Sequence, residues 1–441
     1  MDSHATHRPP QSQIVDSLTG IVSFFTEVEY QRSDPSIFVA LAESGDLAGY
    51  GIPGGSRRVT GSGAGLVYDD AFWAAVGEVV ERYCLQTVHP EDLVVASWRE
   101  LRERGEEAIA PQRWALFDPI QHESGQVTLP PFGEDTRVAW LKAQSLTRRL
   151  DCYVPACLVC FFMSRLEGTK VLSPTFSTGA ACAQTVPKAI LKGICEVVER
   201  DAFTIIWRNQ LSCARVEIDP KSAIYNVVQE RFLRPGLEYT LVQTTLDLPI
   251  PSFFGILRNL RHDPPRILVG GACDPDPNRA ALKTLLELAQ SIQWTNHLGD
   301  QTFSAEKGFA NVRTFEDRMR LYAYGNHPEA FRFLLEQPKV VKLSSIPSAD
   351  LGEDSANVGR CCDALAKRNI ELIALDVTSA DAADAGLSVI KVLSPECQPM
   401  EADHRMPFLG GKRWREVPVQ LGFRAAPPSI ETVNAYPHPY P

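Results

Sequence analysis

Glu196 and Glu199 stand three residues apart in the stretch 187–209, PKAILKGICEVVERDAFTIIWRN. Its apolar residues Ile190, Ile194, Val197, Val198, Phe203, Ile205 and Ile206 recur at helical spacing, which predicts an amphipathic helix with Lys188, Lys192, Glu196, Glu199 and Arg200 off the buried face. Residues three apart on a helix are neighbours, so the two carboxylates are held side by side at an electrostatic cost that a cation relieves. A lone ExxE is most often a solvated acidic face, because glutamate is a good helix former. Here the pair returns. Glu78-Val79-Val80-Glu81-Arg82 matches Glu196 to Arg200 residue for residue, and RAALKTLLELAQSIQ (279–293) carries Glu287 and Gln290 at the same separation. Three such helices predict oxygen ligands converging on a hard cation such as Mg2+, shared with the phosphates of a nucleotide. Glu78, Glu81, Glu196, Glu199 and Glu287 are the candidate metal ligands. Arg200, Gln290, and Arg57 and Arg58 of the glycine-rich stretch 51–65 are candidate nucleotide contacts, the last two as guanidinium donors in a loop wrapping a phosphate.

Around these helices the sequence predicts one repeated order: a strand, a small-residue or glycine-rich turn, then the helix with its paired oxygens. Strands are expected at 37–41, 153–163, 239–246, 251–257, 267–273, 371–377 and 387–393. A short helical segment is expected between 91 and 104, and further helices at 315–324, 329–336 and 357–367. Helices set against largely antiparallel sheets make the fold class α+β, compatible with an internal duplication. The chain is expected to be irregular from Ser394 onward. Its predicted organisation is a flexible arm (1–16), one domain (17–430) and a proline-rich tail (431–441).

Composition sets the outer bounds. The chain has 441 residues, 44% apolar and 22% charged, with a net charge of -10, which argues against nucleic acid as a partner. There is no transmembrane-length apolar run and no signal peptide, so no membrane is expected and the cytoplasm is the predicted location. The 11 cysteines lie mostly in apolar segments and read as reduced, buried thiols. Gly410-Gly411-Lys412-Arg413 lacks both the spacing and the following helix of a phosphate-binding P-loop, and no GxSxG frames a nucleophile. A nucleotide would be held mainly through metal ions.

These residues resemble the YcaO family, in its branch that forms thiazolines and oxazolines in ribosomal peptides. The resemblance rests on STGAACA (177–183) leading into EVVERDA (196–202), on LLELAQS (285–291), RTFEDR (313–318), ALDVTSAD (374–381) and HRMPFLGGKR (404–413), and on the ending PHPYP (437–441). It implies ATP and Mg2+ as cofactors, bound by Glu78, Glu81, Glu196, Glu199, Arg200, Glu287 and Gln290. It implies a reaction in which a Cys, Ser or Thr side chain of a precursor peptide adds to the preceding amide carbonyl. The resulting oxyanion takes the γ-phosphoryl group, and loss of phosphate leaves the azoline. It also implies a separate leader-peptide-binding protein of the E1-like (ThiF-like) type, a flavin dehydrogenase and a homodimer. Thioamide or amidine formation and a non-catalytic scaffold are the alternative activities within the same family.

The family's tail assigns catalytic positions to Pro437, Pro439 and Pro441, the prolines fixing an extended path and the last carboxylate acting as a base. As a terminal segment, the tail is expected to contribute few core contacts. Four positions depart from the family pattern: Ala64 replaces a lysine, Ala74 a serine, Arg318 a histidine, and Ile292 or Trp294 an arginine.

Overall fold

The computed structural model describes residues 14–47, 57–88, 90–161 and 168–440. Residues 1–13 of the predicted arm, residues 48–56 and Pro441 lie outside the described residues. Strands β1 (Val22–Glu27), β2 (Phe38–Ser44) and β3 (Thr60–Gly65) form an antiparallel sheet with β2 in the middle. β4 (Val94–Ala96), β5 (Val138–Ser145), β6 (Leu150–Pro155) and β7 (Ala180–Ala183) belong to a second sheet, and β8 (Arg215–Glu217), β9 (Leu237–Gln243), β10 (Ser252–Asn259) and β11 (Arg266–Cys273) to a third. β12 (Val340–Lys342) joins the third sheet, giving β11-β10-β9-β8-β12. β13 (Ile373–Asp376) and β14 (Ser388–Leu393) complete the second as β4-β5-β13-β14-β7, with β6 on β5. Among the named strands every pairing is antiparallel except β8 with β12.

The three acidic helices span Tyr68–Cys84, Val186–Asn209 and Pro277–Leu298. Thr185 and Asp276 cap the second and third, each with a proline in the first turn whose missing N–H is no loss there. Each helix follows a strand of its own sheet and packs on it: the first on β3, the central one on β7 and β14, the third on β11. Each also touches the next unit. The first helix reaches β7, the central helix reaches β11, and the third reaches β3. The strand-to-helix arrangement therefore occurs three times in a closed cycle, one copy more than a duplication.

Several expected elements are corrected. The stretch 51–65 does not end as a glycine-rich loop, because 60–65 is strand β3. Gly61, Gly63 and Gly65 alternate, so all three face the first helix, where a Cβ on Gly63 would lie 2.4 Å from both the Ala71 carbonyl oxygen and the Ala75 nitrogen. These glycines permit contact between two backbones. The strand predicted at 153–163 stops at Pro155 and turns through Ala156–Leu158. The short helical segment expected between 91 and 104 is Trp98–Glu103, with β4 ahead of it. The end of the chain is not wholly irregular: Arg413–Gln420 is a helix, so Gly410-Gly411-Lys412 does precede one, and it differs from a P-loop in its spacing and in having Arg413 where Ser or Thr follows the lysine.

Candidate functional site: carboxylates from three helices

Each acidic helix begins its site the same way. The first glutamate of each pair accepts a hydrogen bond from a backbone N–H of the preceding strand segment: Ser62 N to Glu78 at 2.6 Å, Gly179 N to Glu196 at 3.1 Å and Gly271 N to Glu287 at 2.9 Å. The separations along the chain are 16, 17 and 16 residues. This regularity reflects a fixed turn between strand and helix and aims each side chain at the centre of the cycle. Close packing of the helices needs glycine on the strands, and at Gly270 an added Cβ would come 2.7 Å from that of Glu287.

The second member of each pair reaches across units. Glu81 Oε1 accepts from the Cys182 N–H of β7 at 2.7 Å, and Gln290 Nε2 donates to Ser62 Oγ of β3 at 2.6 Å. Glu199, 6% exposed, accepts from Tyr440 Oη at 3.2 Å and pairs with Arg200 at 3.3 Å. Glu78 is bound to Arg82, whereas Lys192, facing Glu81, donates to the Cys182 carbonyl.

Burial pushes the Glu81 carboxyl up to about 7, with the Lys192 charge opposing and the Glu196 and Glu78 charges adding. Burial likewise raises Glu199 to about 8 and Glu287 to about 7, opposed in both by Arg200. Glu196 repels all three. The helices thus hold hard oxygen donors whose mutual repulsion the neighbouring cations leave partly uncancelled, which fits a divalent cation. Among the described residues no three His, Cys, Asp or Glu side chains are arranged to hold one ion between them, because backbone N–H groups, arginines and Tyr440 engage the carboxylates.

Glu78, Glu81, Glu196, Glu199, Arg200, Glu287 and Gln290 are therefore brought together. Arg57 and Arg58 form other pairs, Arg57 with Asp46 at 2.7 Å and Arg58 with Glu43 at 2.6 Å, both guanidinium groups mostly exposed, and residues 51–56 of the expected phosphate-wrapping loop lie outside the described residues. Of the two positions near the absent arginine, Ile292 is buried and Trp294 is exposed.

The tail also departs from its expected behaviour as a loose end. His438 and Tyr440 are 5% and 2% exposed, and Pro437 and Pro439 are buried with them. Three side chains grip its carbonyls: Trp207 Nε1 donates to Tyr436 O at 3.0 Å, Tyr322 Oη to Pro437 O at 2.5 Å and Arg318 Nη1 to His438 O at 3.1 Å. Arg318, the residue in place of a histidine, is fully buried and also donates to the carbonyls of Ala402 and Glu401. Sequence reasoning singled out Arg318 only as a departure and missed Tyr322 and Tyr440; the buried tail reveals the use of all three. Pro441, the expected base, lies outside the described residues.

Comparison with known proteins identifies the family. Residues 62–398 match the family model described as YcaO cyclodehydratase, ATP- and Mg2+-binding, and the chain belongs to that family. An uncharacterized protein from the tfuA 3′ region of Rhizobium leguminosarum bv. trifolii is 30% identical over 52% of this chain and 54% of its own length. An uncharacterized protein of Methanothermobacter thermautotrophicus is 26% identical over 52% and 56%. The chain spans a little over half the length of these curated relatives. In fold it is similar to a heterocyclase in complex with substrate and cofactor (TM-score 0.77, 22% identity, 98% of this chain and 58% of the other). It is also similar to the YcaO protein of Methanopyrus kandleri bound with AMPPCP and Mg2+ (TM-score 0.59, 16% identity, 86% of each chain). Among the described residues no helix is long and apolar enough to cross a membrane.

Proposed function

We propose that the protein is an ATP- and Mg2+-dependent cyclodehydratase that converts Cys, Ser or Thr residues of a ribosomal precursor peptide to thiazolines or oxazolines through phosphorylation of the backbone amide oxygen. The observation that carries this reading is the meeting of the three helix pairs with the buried tail beside Glu199. Glu78, Glu81, Glu196, Glu199 and Glu287 are the residues to ligate Mg2+, Glu78 being paired also with Arg82. Bound ATP supplies the phosphoryl group that turns a poor leaving oxygen into a good one. Arg200, buried beside Glu199, offers a fixed positive charge to phosphate oxygens. Pro437 and Pro439 are the residues to fix the path of the tail, and Pro441 is the proposed base. A neighbouring protein of the E1-like type is the proposed partner that presents the leader peptide, and a flavin dehydrogenase and a homodimer belong to the same proposal.

The test is incubation of the protein, with its partner, ATP, Mg2+ and a Cys/Ser/Thr-rich precursor peptide. Loss of one water per ring, matched by one ATP consumed, is expected. A mass change from exchange of oxygen for sulfur would redirect the reading to thioamide formation, and no mass change would overturn it.

A further inference from the structure

The second residue of two of the three pairs hydrogen-bonds directly to the neighbouring unit. Glu81 of the first unit binds the Cys182 N–H of the second, and Gln290 of the third binds Ser62 of the first. The central helix packs directly on β11, but the hydrogen bond of Glu199 at that junction goes to the tail. Tyr440 Oη donates to Glu199 of the central helix, and the same oxygen lies over Gly271 of β11, where an added Cβ would come within 1.8 Å of it. The Tyr440 ring is wedged between Phe203 of the central helix and Phe254 of β10, with centroids 4.6 and 5.5 Å away. The Arg200 guanidinium stacks over its face at 4.2 Å. One side chain of the tail thus touches Glu199, Arg200 and the strand whose Gly271 N–H holds Glu287.

We propose that Tyr440 is a positioning residue of the nucleotide site: it ties Glu199 and Arg200 to the strand that holds Glu287, so that docking of the tail and binding of magnesium-nucleotide are energetically linked. The inference rests on the nucleotide-magnesium reading above and adds to it a second use of the tail, distinct from supplying a base. The phenol orients Glu199 by a hydrogen bond to one oxygen and holds Arg200 by cation–π contact, fixing a carboxylate and a cation that otherwise have rotamer freedom. Gly271 is required for this arrangement because any side chain there takes the place of the hydroxyl.

Binding of a non-hydrolysable ATP analogue, measured by calorimetry over a range of Mg2+ concentrations on the full chain, tests the proposal. Tyr440→Phe keeps the ring and its packing and removes only the oxygen. A fall in magnesium-dependent affinity of about 10- to 100-fold is expected, the range for loss of an outer partner of a metal ligand. The unfolding midpoint of the ligand-free protein should stay near that of wild type. Gly271→Ala, which displaces the hydroxyl from the other side, should give a loss in the same direction. Wild-type affinity in Tyr440→Phe would overturn the proposal, as would an affinity loss that only tracks a lowered unfolding midpoint. Wild-type protein that binds no magnesium-nucleotide would overturn the site reading and this inference together. Binding in wild type with no change in Tyr440→Phe would overturn the inference alone.

Discussion

Glu81, Glu199 and Glu287 have carboxyls raised to about 7, 8 and 7 by burial and mutual repulsion. In the ligand-free folded state they therefore bind protons more tightly than in the unfolded chain. The sign follows from linkage: their contribution to stability is fully present below the ordinary glutamate range and is lost as pH rises through 7 to 8. Ligand-free protein should melt at a lower temperature at pH 8.5 than at pH 6, and magnesium-nucleotide should restore the difference, because the metal binds the deprotonated oxygens. A thermal-melt series across that range, with and without ligand, checks both halves, and equal midpoints at the two pH values would contradict the charge cluster. Away from the site, Arg413 holds Asp201 and Asp247 in a buried network, with pairs at 2.6 and 2.8 Å. Arg413→Leu leaves two buried carboxylates facing each other and should cost about 3–5 kcal/mol in urea unfolding.

At the scale of the elements, the acidic helices show how far pattern carries. The helix predicted at 187–209 is Val186–Asn209, and strands predicted at 239–246, 251–257 and 267–273 are β9, β10 and β11 within a few residues. Apolar periodicity is legible where a face is buried by side chains. It fails at β3, whose core-facing positions are Gly61, Gly63 and Gly65, because a strand that buries bare backbone has no hydrophobic signal. The period-two spacing of those glycines was the signal available, and it reads as a turn unless the close-packed helix is known. Gly63→Ala should therefore destabilise by about 1–3 kcal/mol through overpacking against Ala71 and Ala75. Gly359→Ala, on an exposed face of the helix Asp354–Ala366 with open space at its Cβ, should stabilise by up to about 1 kcal/mol. Chemical unfolding of the two variants separates them by sign. The helix Arg413–Gln420 went unseen for another reason: it contains Pro418 and only a short apolar stripe.

At the scale of the whole molecule, three sheets meet through three helices, and the tail is packed into the junction of the central helix with β10 and β11. The pairing of carboxylates was readable from three short motifs, but their cyclic order depends on which sheet each helix touches, and no local pattern encodes that. The buried tail changes the expected result of truncation. Removal of residues 437–441 takes Tyr440 from between Phe203 and Phe254 and should lower stability by at least about 3 kcal/mol, seen as a shifted urea midpoint. Glu196 is the carboxylate that repels each of Glu81, Glu199 and Glu287, so it stands at the centre of the charge cluster. Glu196→Gln keeps size and removes that charge. Magnesium-dependent ATP consumption by this variant, assayed beside its melting temperature, is the most direct measurement. Consumption should disappear while the ligand-free protein melts no lower than wild type, since a repulsion has been relieved. Wild-type consumption in Glu196→Gln would contradict the assignment of the three helices as a nucleotide-magnesium site.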